Sequence, residues 1–206
     1  MKNLMTVLTT EAVFSDDGLK RYILKNTWDE SKPKVAVIML APSEASTVSL
    51  DNSSMLVLNN SYRLGYGGVT ILNLFATLND FSLRQAEMED AENMDAILQT
   101  CQEADAVVYA PGVGKASSKA FQRRQEQVLS VLAPMEGKLH CLCDEDGKAR
   151  LQHPLSPAVR TWYLSPFKVA ELLPKAEDSK DDSKKASKGK GKAATKEGDS
   201  KKTSLP

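Results

Sequence analysis

The sequence predicts an α/β fold, a three-layer sandwich around a central, mostly parallel four-stranded sheet. Four short apolar runs, at 35–40, 69–75, 105–110 and 138–143, have the length and β-branched content of strands buried on both faces. The segments between them carry apolar residues at helical spacing. Strand and helix thus alternate, and parallel neighbours need crossovers that are usually helical.

Each element has its own local reason. Residues 6–14 and 21–24 read as short β segments around an Asp16-Asp17-Gly18 turn, a hairpin at the start of the fold. Residues 35–40, VAVIML, form the first buried strand and stop at Ala41-Pro42-Ser43. Residues 55–64 read as a helix, with Met55, Leu58 and Tyr62 on one face, broken by Gly65-Tyr66-Gly67-Gly68. Residues 69–75 form the second strand. Residues 91–103 align Met94, Ile97, Leu98 and Cys101 as a helix covering the sheet. The third strand at 105–110, a helix at 117–132 and the fourth strand at 138–143 complete the pattern.

Of the 206 residues, 1–174 are expected to form one domain and 175–206 a disordered tail. The tail holds ten lysines against six acids and no aromatic residue, so it cannot bury enough surface to offset the entropy of ordering. Whole-chain neutrality therefore divides into roughly +4 in the tail and roughly −4 in the domain. A lysine tail is drawn to polyanions by counterion release, which makes DNA a natural partner, although such a segment also serves simply as a solubilising terminus. No apolar leader follows Met1 and no run approaches the length of a membrane span, so a cytoplasmic protein without membrane contact, acting as a monomer, is expected. Three cysteines do not make a disulfide framework. Alternation at 140–143 separates His140 from Cys141 and Cys143, so these read as buried structural residues rather than zinc ligands, and neither metal nor cofactor is expected.

Three loops carry candidate chemistry. In His153-Pro154-Leu155-Ser156-Pro157 each proline fixes its own φ and pushes the preceding residue toward extended geometry, so His153 and Ser156 keep few conformations. Ala41-Pro42-Ser43 ends the first buried strand, where ligands bind in open α/β sheets. Asn73 closes the second strand with a carboxamide able to pair with a base edge in both directions, and Phe75 is expected on the same side for stacking. Gly112, Gly114, Lys115 and Ser117 follow the third strand and open a helix, a setting suited to phosphate, although the spacing is not that of a nucleoside-triphosphate loop. Ser156 and Arg160 join this phosphate-binding set, and Arg123-Arg124 either extend a basic rim or face water.

Arg21-Tyr22-Ile23-Leu24 with Trp28, the strand ending in Ala41-Pro42-Ser43, Asp51-Asn52-Ser53-Ser54, Gly65-Tyr66-Gly67-Gly68 followed by Asn73-Leu74-Phe75, and His153-Pro154-Leu155 resemble, in that order, an uncharacterised bacterial family of unknown function. That family carries Asn-Pro-Ser in the first loop, and the resemblance runs over about residues 20–157. Residues 68–73 and 153–157 are also distantly similar to the uracil-DNA glycosylase superfamily. This second resemblance implies a uracil-DNA-glycosylase-like fold and a hydrolase that flips a damaged or modified base out of DNA and cleaves its N-glycosidic bond. It implies His153 as donor to the departing base, with Asn73, Phe75, Ala41, Pro42 and Ser43 around that base. Ala41 stands where the superfamily has Asp or Asn. Either another acid, Glu44 or Asp51, takes that role, or the protein is a non-catalytic nucleic-acid or nucleotide-binding module. A protein-interaction domain with a lysine tail is the third reading.

Overall fold

The computed structural model describes residues 1–43, 47–78, 90–113 and 118–173. Seven strands make one sheet: β1 (Thr9–Phe14), β2 (Arg21–Thr27), β3 (Lys34–Met39), β4 (Gly68–Asn73), β5 (Ala106–Tyr109), β6 (Leu139–Cys143) and β7 (Tyr163–Pro166), in the order β1-β2-β4-β3-β5-β6-β7. The inner strands β4, β3, β5 and β6 pair in parallel, while β1-β2, β2-β4 and β6-β7 pair antiparallel. The expected four-stranded, mostly parallel sheet is therefore corrected to a seven-stranded mixed one.

The physical reason lies at the two edges. The β1-β2 hairpin does not stand apart but lies along β4, with Leu24 opposite Ile71 and Thr27 opposite Gly68. On the other side β7 is short, half-exposed and ends in a proline, a composition that an edge strand tolerates and that hides its strand character.

Among the described residues three α-helices cover the sheet: α1 (Asn52–Arg63), α2 (Ala91–Glu103) and α3 (Lys119–Leu132). Each starts at a side-chain cap, where Asp51, Asp90 and Ser118 accept from the backbone N–H groups of Ser54, Asn93 and Phe121. On one face Ile97 and Cys101 of α2 and Phe121, Val128, Leu129 and Leu132 of α3 pack against Ile38, Leu72 and Val107. On the other, Val57 of α1 meets Val37, Val69 and Ile71. Each such apolar side chain contributes about 1.5–3 kcal/mol on burial.

The connections position the site. From β3 the chain crosses through α1 to β4 on one side, returns through α2 to β5 on the other side of β3, and continues through α3 to β6. The order reverses between β3 and β5, and in open α/β sheets a crevice opens outside the carboxyl ends at such a reversal. All three cysteines are buried and free, and burial pushes the Cys101 thiol up to about 12. Among the described residues no helix is long and apolar enough to cross a membrane.

Candidate functional site

The carboxyl ends of the parallel strands lie edge to edge. Hydrogen bonding continues past them: Leu74 N donates to Met39 O (2.9 Å), Phe75 N to Leu40 O (3.1 Å) and Ala110 N to Ile38 O (2.8 Å). Pro42 is buried there, with Ala41 and Ser43 half-buried beside it. The His153 loop closes over the end of β5. Gly112 has φ +81°, and a Cβ built on it would stand 2.9 Å from the Cβ of His153, so both backbone conformation and space require glycine.

The His153 loop is tied by its own hydrogen bonds. Ser156 N donates to His153 O (2.8 Å), Leu155 N donates to His153 Nδ1 (3.2 Å), and Ser156 Oγ donates to Gln152 Oε1 (2.9 Å). A backbone N–H can only donate, so Nδ1 is the acceptor and the neutral imidazole carries its proton on Nε2. Burial lowers the His153 pKa from its ordinary 6.5, with the nearby charge of Asp51 pulling the other way. The Ser156 hydroxyl is engaged inside the loop, while Arg160 is exposed and has its carbonyl held by Asn60 Nδ2 (3.1 Å).

Asp51 lies within electrostatic reach of the Arg21 guanidinium and of the His153 imidazole. Its Oδ1 accepts from Ser54 N (2.6 Å), capping α1, and its Oδ2 is buried with no hydrogen-bond partner. Its charge acts on both His153 and Arg21. Arg21 is 1 % exposed and donates Nη1 to Ser43 O (3.3 Å) beneath the first loop. Desolvation lowers the Arg21 pKa, opposed by Asp51. Arg21 was not among the sequence candidates for the site, because a basic residue at a strand start usually faces water. The available signal was its place directly before Tyr22-Ile23-Leu24, a stretch the core absorbs.

Asn73 stands opposite Met39 at the end of β4, 1 % exposed, and neither Oδ1 nor Nδ2 has a hydrogen-bond partner. Val69 and Ile71 pack toward α1, and strand alternation directs Asn73 to the same face. Its main chain is clamped from the opposite face. Asn93 Nδ2 donates to Asn73 O and Leu74 O (3.2 Å each), and Arg124 Nε donates to Leu74 O (2.7 Å). Arg124 is thus no basic rim residue and does not face water; it is 1 % exposed, while Arg123 beside it is exposed. Phe75 does not share the side of Asn73. It packs in the core with Ile38, Leu72 and Ile97, because the chain leaves the strand after Asn73 and alternation no longer applies.

Glu44, Gly114, Lys115 and Ser117 lie outside the described residues. Among the described residues no group of three His, Cys, Asp or Glu side chains could hold a metal ion. Around the β3–β5 reversal the charge of Asp51 reaches the His153 imidazole, while Asn73 ends the neighbouring strand β4 opposite Met39. Imidazole N–H, carboxylate and carboxamide are groups able to bind a heterocycle by its edge and to meet charge of either sign. No curated protein matches this chain. The family described as "Protein of unknown function (DUF1643)" matches residues 21–155, nearly the span over which the motifs Arg21 to Leu24 through His153-Pro154-Leu155 are distributed. With more than half of its length matched, and with the first-loop, Asn73 and His153 elements all inside the match, the chain belongs to the DUF1643 family.

Proposed function

We propose that this protein binds a nucleobase extruded from DNA and cleaves its N-glycosidic bond, on a fold that is a variant of the uracil-DNA glycosylase superfamily. The observation that carries the reading is the Asn73 carboxamide, buried with both its donor and its acceptor unpartnered. An unsatisfied buried polar group costs about 1–3 kcal/mol, a cost that a base edge would remove. His153 supplies the second support, since its fixed tautomer presents Nε2–H as a donor.

In this mechanism the C1′–N bond breaks with its electron pair leaving on the base. His153 Nε2–H donates to the base oxygen on which that charge gathers, and Asp51 Oδ2 offsets the positive charge growing on the sugar. Water then adds to C1′, and its proton leaves through Asp51. Backbone groups of Ala41, Pro42 and Ser43 line the base, and Gly112 and Arg160, with Gly114, Lys115 and Ser117, contact phosphates of the strand. Ser156, both of whose donors are used within the loop, instead holds the His153 loop in shape. Incubating the protein with DNAs containing uracil, hypoxanthine and modified cytosines, then scoring abasic sites, tests the reading; no release from any of them overturns it.

A second reading, a non-catalytic nucleic-acid or nucleotide-binding module, is favoured by Ala41, which brings neither carboxylate nor carboxamide to the first loop. Binding of modified DNA without base release supports that reading instead.

A further inference from the structure

Besides Asp51 Oδ2 and the Asn73 carboxamide, a third buried group near the site lacks a partner. Ser54 is 1 % exposed and its Oγ makes no hydrogen bond, although its backbone N–H is held by Asp51. Position along the fold brings it to Asn73. The chain enters α1 from the carboxyl end of β3 and leaves it toward the start of β4, so α1 runs back along both strands. Val57 packs among Val69 and Ile71 on this face. Ser54 lies one helical turn before Val57, a rise of about 5 Å toward the carboxyl ends. Asn73 lies two strand residues beyond Ile71, about 6.6 Å in the same direction. The hydroxyl and the carboxamide therefore lie toward the same end of the sheet, on facing elements of one face, with Asp51 a turn further on.

We propose that Ser54 is a second base-reading side chain, bonding through Oγ the polar atom next to the pair taken by Asn73. This rests on the nucleobase reading above and narrows it. Asn73 takes two neighbouring atoms of an edge and Ser54 a third, which fits a heterocycle with three polar atoms along one edge, as the pairing edges of pyrimidines and of guanine have. Asp51 beside them repels a phosphate, so this end of the site takes the base and not the backbone.

The test uses opposed effects on stability and binding. A hydroxyl satisfied within the fold contributes stability, whereas a buried unpaired one costs it, and alanine is at home inside a helix. Ser54→Ala should therefore leave the thermal midpoint of the free protein unchanged or raised. In isothermal titration with free uracil, cytosine, adenine and hypoxanthine it should weaken the base that the unaltered protein prefers by about tenfold, equivalent to about 1.4 kcal/mol. A midpoint lowered by several degrees overturns the proposal, because Oγ is then bonded in the fold. Equal affinity of Ser54→Ala and the unaltered protein for a base overturns it and leaves the base-binding reading standing. No binding of any of these bases by the unaltered protein overturns both.

Discussion

At the scale of single residues, the site depends on groups whose hydrogen bonding the fold completes only in part. His153 uses Nδ1 to accept from Leu155 and keeps Nε2–H for a ligand. His153→Ala should lower base release by on the order of a hundredfold, as when one charge-stabilising donor is lost. Affinity for undamaged DNA should barely change, since phosphate contacts dominate it; a filter-binding titration checks this. The pH dependence has a definite sign. Protonation at Nδ1 would break the Leu155 bond, and burial holds the folded-state pKa below 6.5, so the unfolded chain takes up the proton first as pH falls. Stability should therefore decline as pH drops through the ordinary histidine range, and His153→Gln should remove that part of the decline. Asp51 separates capping from charge: Asp51→Asn keeps an oxygen for Ser54 N, so the thermal midpoint should hold while base release falls. A rate equal to the unaltered protein's would assign the acidic role elsewhere, with Glu44 the next candidate.

At the scale of elements, the end of β4 is fixed by its neighbours more than by its own sequence. Asn93 from α2 and Arg124 from α3 donate to the carbonyls of Asn73 and Leu74, holding the segment that carries the carboxamide. Arg124→Leu leaves the Leu74 carbonyl short of its strongest donor and should destabilise by about 1–3 kcal/mol, read by urea unfolding. Arg124→Lys, which retains a donor, should recover part of that loss. The loop after β5 is constrained differently. Gly112→Ala adds a methyl 2.9 Å from the Cβ of His153 at φ +81°, so the His153 loop must move. Base release should then drop nearly as far as in His153→Ala, and both should be compared in one assay.

At the scale of the whole molecule, the proposed site lies within the described domain, and the lysine-rich composition of residues 175–206 makes a separate attraction to polyanions an expectation to be tested. Deleting residues 175–206 should leave the thermal midpoint of the domain unchanged and weaken DNA binding chiefly at low salt, with a shallower dependence of log K on log salt. Unaltered affinity and slope in the truncated protein would remove the tail from DNA binding. The domain should retain base release on short oligonucleotides, because every proposed contact to the reacting base comes from residues before 175.

Local pattern alone carried the four buried runs, the three helices and the loops at Ala41, Asn73, Gly112 and His153, because apolar periodicity and proline or glycine chemistry act over a few residues. It also supported the separation of His140 from Cys141 and Cys143, which alternation dictates. Tertiary structure alone decided the edges of the sheet, since whether a short, half-polar run such as Tyr163–Pro166 pairs depends on a partner strand some twenty residues away. It likewise decided the fates of three side chains. Phe75 went to the core, Arg124 to a buried clamp and Arg21 beneath the first loop, in each case because burial is set by what packs across the sheet. A single sequence carries no signal for that packing: the charge of Asp51 reaches His153, some hundred residues away, only once the fold has brought the two loops to the same end of the sheet.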